Sequence, residues 1–310
     1  MIEVENLSKR YGDKLAVDGL DFVVRPGVVT GFLGPNGAGK STTMRLIAGL
    51  DEPSGGSVRV NGKAYRLAAA PMAELGVLLE ARAMHPGRSA RNHLLALAQT
   101  NGISRRRVDE VIDLAGLREV AAKRVGGFSL GMGQRLGVAQ ALLGDPQVVV
   151  LDEPVNGLDP EGVRWIRTLL KALAAGGRTV FVSSHLMSEM AQTATRLIVV
   201  GRGRLIADAT VEEFVARASG SSVTVRTPEA GRLRGLLLGP DVTVTSDRAD
   251  VLHVQGLNAE QIGTVAWRAR IPVYGLTLQQ ASLEQAFMQL TEDSVEYRSA
   301  DTSVTKEVAA

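Results

Sequence analysis

Short apolar runs without alternation punctuate the middle of the chain: Val148 to Leu151, Thr179 to Val182 and Leu197 to Val200. Runs of this kind fit strands buried on both faces, as in a parallel sheet covered by helices. Val29 to Leu33 has the same character. Between the first two runs the pattern is helical, with Asp159 as N-cap, Pro160 in the first turn and Gly176-Gly177 as the stop. Helical patterning also fills the stretch from about Glu80 to Asp145. There Ser89 is placed to cap a helix through Gln99, and Ser104 another through Leu114, with Gly102 and Gly116 ending them. Nearer the start, Ile2 to Leu7 and Leu20 to Val24 read as short strands, the second closed by Arg25-Pro26-Gly27. Ser57 to Val60 reads as hairpin-like, turning at Asn61-Gly62. Alternating strands and helices predict an α/β domain with a helical insertion.

Thr210-Val211-Glu212-Glu213 has the spacing of a capping box and starts one more helix. The Gly-Ser stretch from Ala216 to Ser222 reads as a linker. Beyond it the order is strand (Ser222 to Arg226), helix, strand (Val242 to Thr245), strand (Val251 to Gln255), helix, strand (Val273 to Leu278). This predicts a small α+β module, closed by a terminal helix from Ser282 to Leu290. Residues from about Thr291 onward are polar and aperiodic and read as a flexible tail.

One junction carries chemistry. The apolar run before it leads into Gly34-Pro35-Asn36-Gly37-Ala38-Gly39-Lys40-Ser41-Thr42, which fits G-x-x-x-x-G-K-S/T, and a helix-like segment follows from Ser41 to Leu50. Glycines let successive backbone N–H groups curl around an anion, and the helix adds its positive N-terminal end. Lys40 would reach the β- and γ-phosphates of a nucleotide, and the Ser41 hydroxyl would ligate Mg²⁺. The alternative, an ordinary glycine-rich turn, leaves a lysine crowded at the junction with no partner, which costs several kcal/mol when desolvated.

A second element is the strand Val148 to Leu151 ending in Asp152-Glu153-Pro154. Two adjacent carboxylates at the end of a buried strand need compensation. Mg²⁺ compensates Asp152, directly or through water, and Glu153 is placed to polarise an attacking water as general base. A solvated acidic turn is the plainer alternative.

The third element is Phe128-Ser129-Leu130-Gly131-Met132-Gly133-Gln134-Arg135, just before an apolar helix. With it the chain resembles the ATP-binding-cassette (ABC) family, whose signature reads L-S-G-G-Q-x-Q-R. Ser129, Gly131, Gln134 and Arg135 match it; Phe128, Leu130 and Met132 depart. The resemblance implies that Ser129 and Gly131 contact the γ-phosphate held by a second subunit. It further implies that Tyr11 stacks on adenine, that Asn156-Gly157-Leu158-Asp159 is the dimer-contacting D-loop, and that His185 is the switch histidine on the γ-phosphate. Where the family has a Mg²⁺-sensing glutamine, Gly76-Val77-Leu78-Leu79 leads here to Glu80. A carboxylate about 4 Å from the metal would matter at the level of about 4 kcal/mol at an effective dielectric near 20; a solvated glutamate at a strand end is the alternative. Glutamate at this place resembles ABC ATPases of bacitracin resistance and lantibiotic immunity.

The fold so implied is a P-loop NTPase, α/β in class. Residues 1–216 form an ABC nucleotide-binding domain with a RecA-like core, an antiparallel β-subdomain and a helical subdomain over about 80–145. Residues 222–291 form the α+β accessory domain, and 292–310 the tail. A single phosphate loop and a single signature imply a homodimer binding ATP and Mg²⁺ at its seam. The ending from Ala281 to Thr291 resembles tails of daunorubicin- and bacitracin-type exporter ATPases. The expected function is therefore ATP hydrolysis that energises export of a drug, antibiotic or peptide. An importer subunit, or a soluble regulatory or nucleic-acid-directed ABC ATPase, is the alternative.

Composition adds limits. In 310 residues, 45% apolar and 22% charged, the net charge of +2 gives no argument for nucleic acid as partner. Zero cysteines exclude disulfides and cysteine metal sites. No run reaches about eighteen apolar residues, and the opening Met1-Ile2-Glu3-Val4-Glu5 is strand-like rather than a leader. Transport thus calls for an integral-membrane permease encoded separately, with this chain peripheral on the cytoplasmic face of the membrane.

Overall fold

The computed structural model describes residues 1–80, 84–218, 222–279 and 282–291. The elements run β1 (Ile2–Tyr11), β2 (Lys14–Val24), β3 (Val29–Leu33), α1 (Lys40–Ile47), β4 (Gly55–Val60), α2 (Pro71–Glu74) and β5 (Leu75–Leu78). The helical stretch follows as α3 (Ala90–Thr100), α4 (Arg105–Leu114) and α5 (Leu130–Ala141). Then come β6 (Val148–Leu151), α6 (Pro160–Ala175), β7 (Thr179–Ser183), α7 (Met187–Thr193), β8 (Arg196–Gly201), β9 (Arg204–Thr210) and α8 (Val211–Ala218). The last part holds β10 (Ser222–Arg226), α9 (Ala230–Leu237), β11 (Thr243–Arg248), β12 (Val251–Gln255), α10 (Ala259–Arg268), β13 (Gly275–Gln279) and α11 (Leu283–Thr291).

The central sheet has six strands in the order β5-β6-β7-β3-β8-β9, parallel except for β9 at the edge. Its strands are apolar on both sides because both sides are covered. Val149, Leu151, Val180, Val182, Leu197 and Val199 enter a core shared with the helices. The alternate residues Val148, Val150, Phe181, Ile198 and Val200 enter a second core under the three-stranded antiparallel sheet β2-β1-β4. Phe22, Phe32 and Phe181 pack there as tilted rings with centroids 4.9 to 6.0 Å apart. The P-loop NTPase fold expected above, with its antiparallel β-layer and helical insertion, is what the chain adopts.

Helices start where the capping residues say they should. Ser89, Ser104, Ser129 and Asp159 each accept a backbone N–H from the first turn of the helix that follows. Thr210 and Glu213 exchange the two hydrogen bonds of the capping box. Strand β9 is absent from the sequence reading. It follows a tight turn at Arg202-Gly203, both with positive φ, and runs back along β8.

The C-terminal module has its own core. Val223, Val225, Leu252 and Val254 of an antiparallel sheet, β11-β12-β10-β13, pack on Leu233 of α9 and Ile262 of α10. The terminal helix does not close this module, contrary to the sequence reading. Leu283, Ala286 and Phe287 of α11 join the core of the first domain, against α7 and α8. The apolar stripe of α11 is satisfied by that larger surface, so the module is a loop-out between two helices anchored on the same body. The tail expected over 292–310 falls outside the described residues.

Candidate functional site

Strand order assembles the site. Strands β6, β7 and β3 are neighbours, so the turns after all three open at the same carboxyl edge, where α/β sheets bind ligands. After β3 the chain turns through Gly34–Gly39 into α1. Gly39 has φ 97°, and a Cβ there would collide with the carbonyl of Ala16 on β2, so only glycine closes this loop. Lys40 Nζ donates to Gly34 O at 2.6 Å and to Pro35 O at 3.1 Å. Burial lowers the Lys40 pKa, opposed by the nearby carboxylates of Glu153 and Asp152. An ammonium desolvated in this way gains from any anion brought to the loop.

Asp152 is bound from both sides. Ser41 Oγ donates to its Oδ2 at 2.7 Å, and Ser183 Oγ donates to its Oδ1. The same Ser183 oxygen accepts Glu153 N at 2.9 Å. Glu153 sits at φ 49°, unusual for a side chain of its size, and its backbone is held at both ends. Gln134 Nε2 of α5 donates to its carbonyl at 2.9 Å. Its carboxylate Oε2 accepts His185 N at 3.2 Å and lies 2.7 Å from His185 Nδ1. Ser183 is fully buried and is not among the site residues expected from the sequence. The signal was the run Ser183-Ser184-His185 closing an apolar strand.

A cleft of about 420 Å³ joins these parts, lined by Tyr11, Lys14, Ala16, the segment from Asn36 through Thr42, Asp152 and Glu153. Among the described residues no three His, Cys, Asp or Glu side chains cluster as a metal cage. The hard oxygens of Ser41 and Asp152 suit Mg²⁺, which keeps several waters and shares phosphate oxygens rather than demanding an all-protein shell.

The other expected site residues distribute as follows. Tyr11 is 46% exposed at the cleft mouth. Its hydroxyl donates to Asp51 Oδ2 at 2.7 Å, and Lys9 Nζ lies 4.9 Å from its ring centroid. The bond to Asp51 raises the Tyr11 pKa, while Arg45 and then Tyr11 hold the Asp51 carboxyl down at about 2. Ser129 lies outside the cleft, in a separate depression with Met84, Pro86 and Phe128. Its Oγ accepts Met132 N at 3.2 Å. Gly131 faces the D-loop segment, and a Cβ there would come within 2.8 Å of Gly157 O. Asp159 caps α6 through Gly162 N at 2.9 Å. Glu80 is exposed just past β5 and is not among the residues lining the cleft.

Comparison with known proteins agrees with this geometry. A family model described as ABC transporter matches residues 17–156, and a domain of unknown function (DUF8746) matches residues 221–284. The uncharacterized ABC transporter ATP-binding protein YhcH of Bacillus subtilis (strain 168) is 42% identical over 209 residues, 66% of this chain and 68% of that protein. The bacitracin transport ATP-binding protein BcrA of Bacillus licheniformis is 39% identical over the same coverage. The daunorubicin resistance ATP-binding protein DrrA3 of Streptomyces coeruleorubidus is 35% identical over 303 residues, 94% of this chain and 96% of that one. Among solved structures, an ATP-binding subunit of an ABC transporter superposes with a TM-score of 0.65 at 26% identity, covering 70% of this chain and 92% of its own. The bacterial ABC transporter cassette MJ0796 shares the fold, with a TM-score of 0.63 at 24% identity over 68% of this chain and 98% of that one. This chain belongs to the ABC transporter ATP-binding protein family and is an ABC-type ATPase.

Proposed function

We propose that the chain energises an exporter of a drug, antibiotic or peptide by hydrolysing ATP, working with an integral-membrane permease. The observation that carries this reading is the meeting of Ser41, Asp152, Glu153 and His185 at one sheet edge beside the phosphate loop. The direction of transport is supported by relatives named for Nod factor export, and a drug or antibiotic as cargo by those named for bacitracin transport and daunorubicin resistance. Among the described residues no helix is long and apolar enough to cross a membrane. In this reading a permease holds this subunit at the cytoplasmic face of the membrane.

In this reading the N–H groups from Asn36 to Thr42 and the Lys40 ammonium hold the phosphates, and Tyr11 offers its exposed ring to adenine. Ser41 and Asp152 hold Mg²⁺, which neutralises charge on the phosphates when bound. Glu153 accepts the proton of the attacking water, and His185 orients that carboxylate through Nδ1. Ser129 and Gly131 stand apart from the cleft, which supports a homodimer in which each serves the nucleotide of the other copy, with Asp159 at the seam. In this reading Glu80, exposed past the end of β5, would act on Mg²⁺ through its charge rather than as a ligand. Residues 1–216 make the motor. Residues 222–279 make an accessory domain of their own, an assignment supported by their separate core and by the second family match.

Glu153→Gln tests the assignment. Fluorescent-ATP affinity should stay near wild type while hydrolysis falls by about two orders of magnitude or more, and a closed dimer should accumulate with ATP and Mg²⁺. Hydrolysis at the wild-type rate would remove Glu153 from the base role. Co-purification of the permease from detergent-solubilised membranes tests the partner.

A further inference from the structure

Two side chains that the catalytic reading leaves unused converge on the end of a third helix. Arg135 lies on the second turn of α5 and Trp165 on the second turn of α6. Arg135 Nη1 donates to Ala115 O at 3.1 Å, and Trp165 Nε1 donates to Leu114 O at 2.9 Å. These are terminal carbonyls of α4, which lack intrahelical partners and carry partial negative charge. The Arg135 guanidinium carbon also stands 4.6 Å from the Trp165 ring centroid. Three helices thus meet in one junction, α4 hydrogen-bonded to both others and α5 joined to α6 through the cation–π contact.

What these helices carry gives the junction its meaning. Helix α4 belongs to the helical insertion. Helix α5 begins at Ser129, and its Gln134, next to Arg135, holds the carbonyl of Glu153. Helix α6 begins at Asp159, the end of the segment whose Gly157 abuts Gly131. We propose that Arg135 and Trp165 are positioning residues, a strut that locks the end of α4 to α5 and α6. Ser129, Gly131 and the D-loop then reach the nucleotide of the second copy together. This rests on the reading that Ser129 works across a dimer.

The test uses the full chain in the Glu153→Gln background with ATP and Mg²⁺. Two quantities are read: the ATP concentration giving half-maximal dimer by light scattering, and fluorescent-ATP affinity of the protomer. Trp165→Phe keeps the ring and loses the N–H; Trp165→Leu loses both; Arg135→Lys keeps charge without the planar fork. Nucleotide affinity should stay within about twofold, while the ATP needed for closure rises about threefold in Trp165→Phe and Arg135→Lys and about tenfold in Trp165→Leu and Arg135→Gln. The Trp165→Leu/Arg135→Gln double variant should show less than the product of the single effects, because both break one junction. Closure unchanged in Trp165→Leu while Ser129→Ala impairs it would overturn the strut alone. An inert Ser129→Ala would overturn the trans reading and the strut with it. Parallel loss of affinity and closure would show general damage and also overturns the strut. Should Trp165→Leu fail to fold, Trp165→Phe and Arg135→Lys decide, provided their melting temperatures stay near the parent.

Discussion

Replacing Ser183 by alanine removes one oxygen that performs two tasks. It donates to Asp152 Oδ1 and accepts the backbone N–H of Glu153, inside a fully buried strand end. Losing a hydrogen bond to a carboxylate costs about 1.5–3 kcal/mol, and stranding a buried donor costs about 1–3 kcal/mol. The sum, roughly 2.5–6 kcal/mol, is a large share of a typical domain's stability of about 5–15 kcal/mol. Glu153 meanwhile keeps its positive φ against a preference of order 1–2 kcal/mol, with Gln134 as the remaining backbone anchor. The carboxylate pair should therefore loosen before the strand does. Expected for Ser183→Ala are a melting temperature lower by about 5 °C or more and a Mg²⁺ requirement for hydrolysis raised by about tenfold. Ser183→Thr separates the causes, because it keeps the oxygen but adds a methyl to a filled site at about 1–3 kcal/mol. It should lose melting temperature yet keep the Mg²⁺ titration of the wild type. If Ser183→Ala melts and titrates Mg²⁺ like the parent, the bridging role is wrong.

Lys40→Met should abolish fluorescent-ATP binding yet raise the melting temperature of the nucleotide-free chain, because burial outweighs the two carboxylates in setting its lowered pKa. A folded pKa below the unfolded one means the cost of charging Lys40 is fully present below the folded pKa, fades as pH rises through it, and is gone above the unfolded value of about 10.4. The stability gap between Lys40→Met and wild type should accordingly narrow as pH approaches that value from below in denaturant titrations. Phe287→Ala should destabilise the first domain by about 3–5 kcal/mol, the range for emptying a buried aromatic site. Limited proteolysis would then cut inside residues 1–218 sooner, whereas a helix belonging to the module would expose 222–279 instead. Glu80→Gln should shift the Mg²⁺ midpoint less than about fivefold, since an exposed carboxylate acts through water at about 1 kcal/mol. A larger shift would make it a metal ligand.

What could be read in advance follows the range of the interactions involved. The starts of α3, α4 and α6 were legible because a cap is a bond between residues three apart, and Ser89, Ser104 and Asp159 announce it. The phosphate loop and the carboxylate pair were legible for the same reason, each being a contiguous string. Strand β9 was not, because its turn is Arg202-Gly203 rather than the usual Asn-Gly and its leading Arg204-Leu205-Ile206 hardly alternates. The docking of α11 was not legible either: periodicity says that Leu283, Ala286 and Phe287 share a face, but not which surface that face meets. Ser183 illustrates the limit best. A serine at a strand end is ordinary, and it becomes a clamp only because β7 lies beside β6, a pairing set by sheet order.

Ser129 joins the two kinds of information. The family resemblance implies that its hydroxyl meets an anion on another copy of the chain, while the structure has the same oxygen capping its own helix by accepting Met132 N. These roles do not compete. A hydroxyl has one proton to give and two lone pairs to fill, and the cap uses a lone pair. Capping fixes the side chain at the N-terminus of α5, where the helix dipole is positive and an incoming phosphate is favoured. The bond that starts the helix therefore also aims the proton that an anion would accept. Ser129→Asp, a good cap by local criteria, should for this reason preserve the helix and repel the phosphate, separating what serine combines.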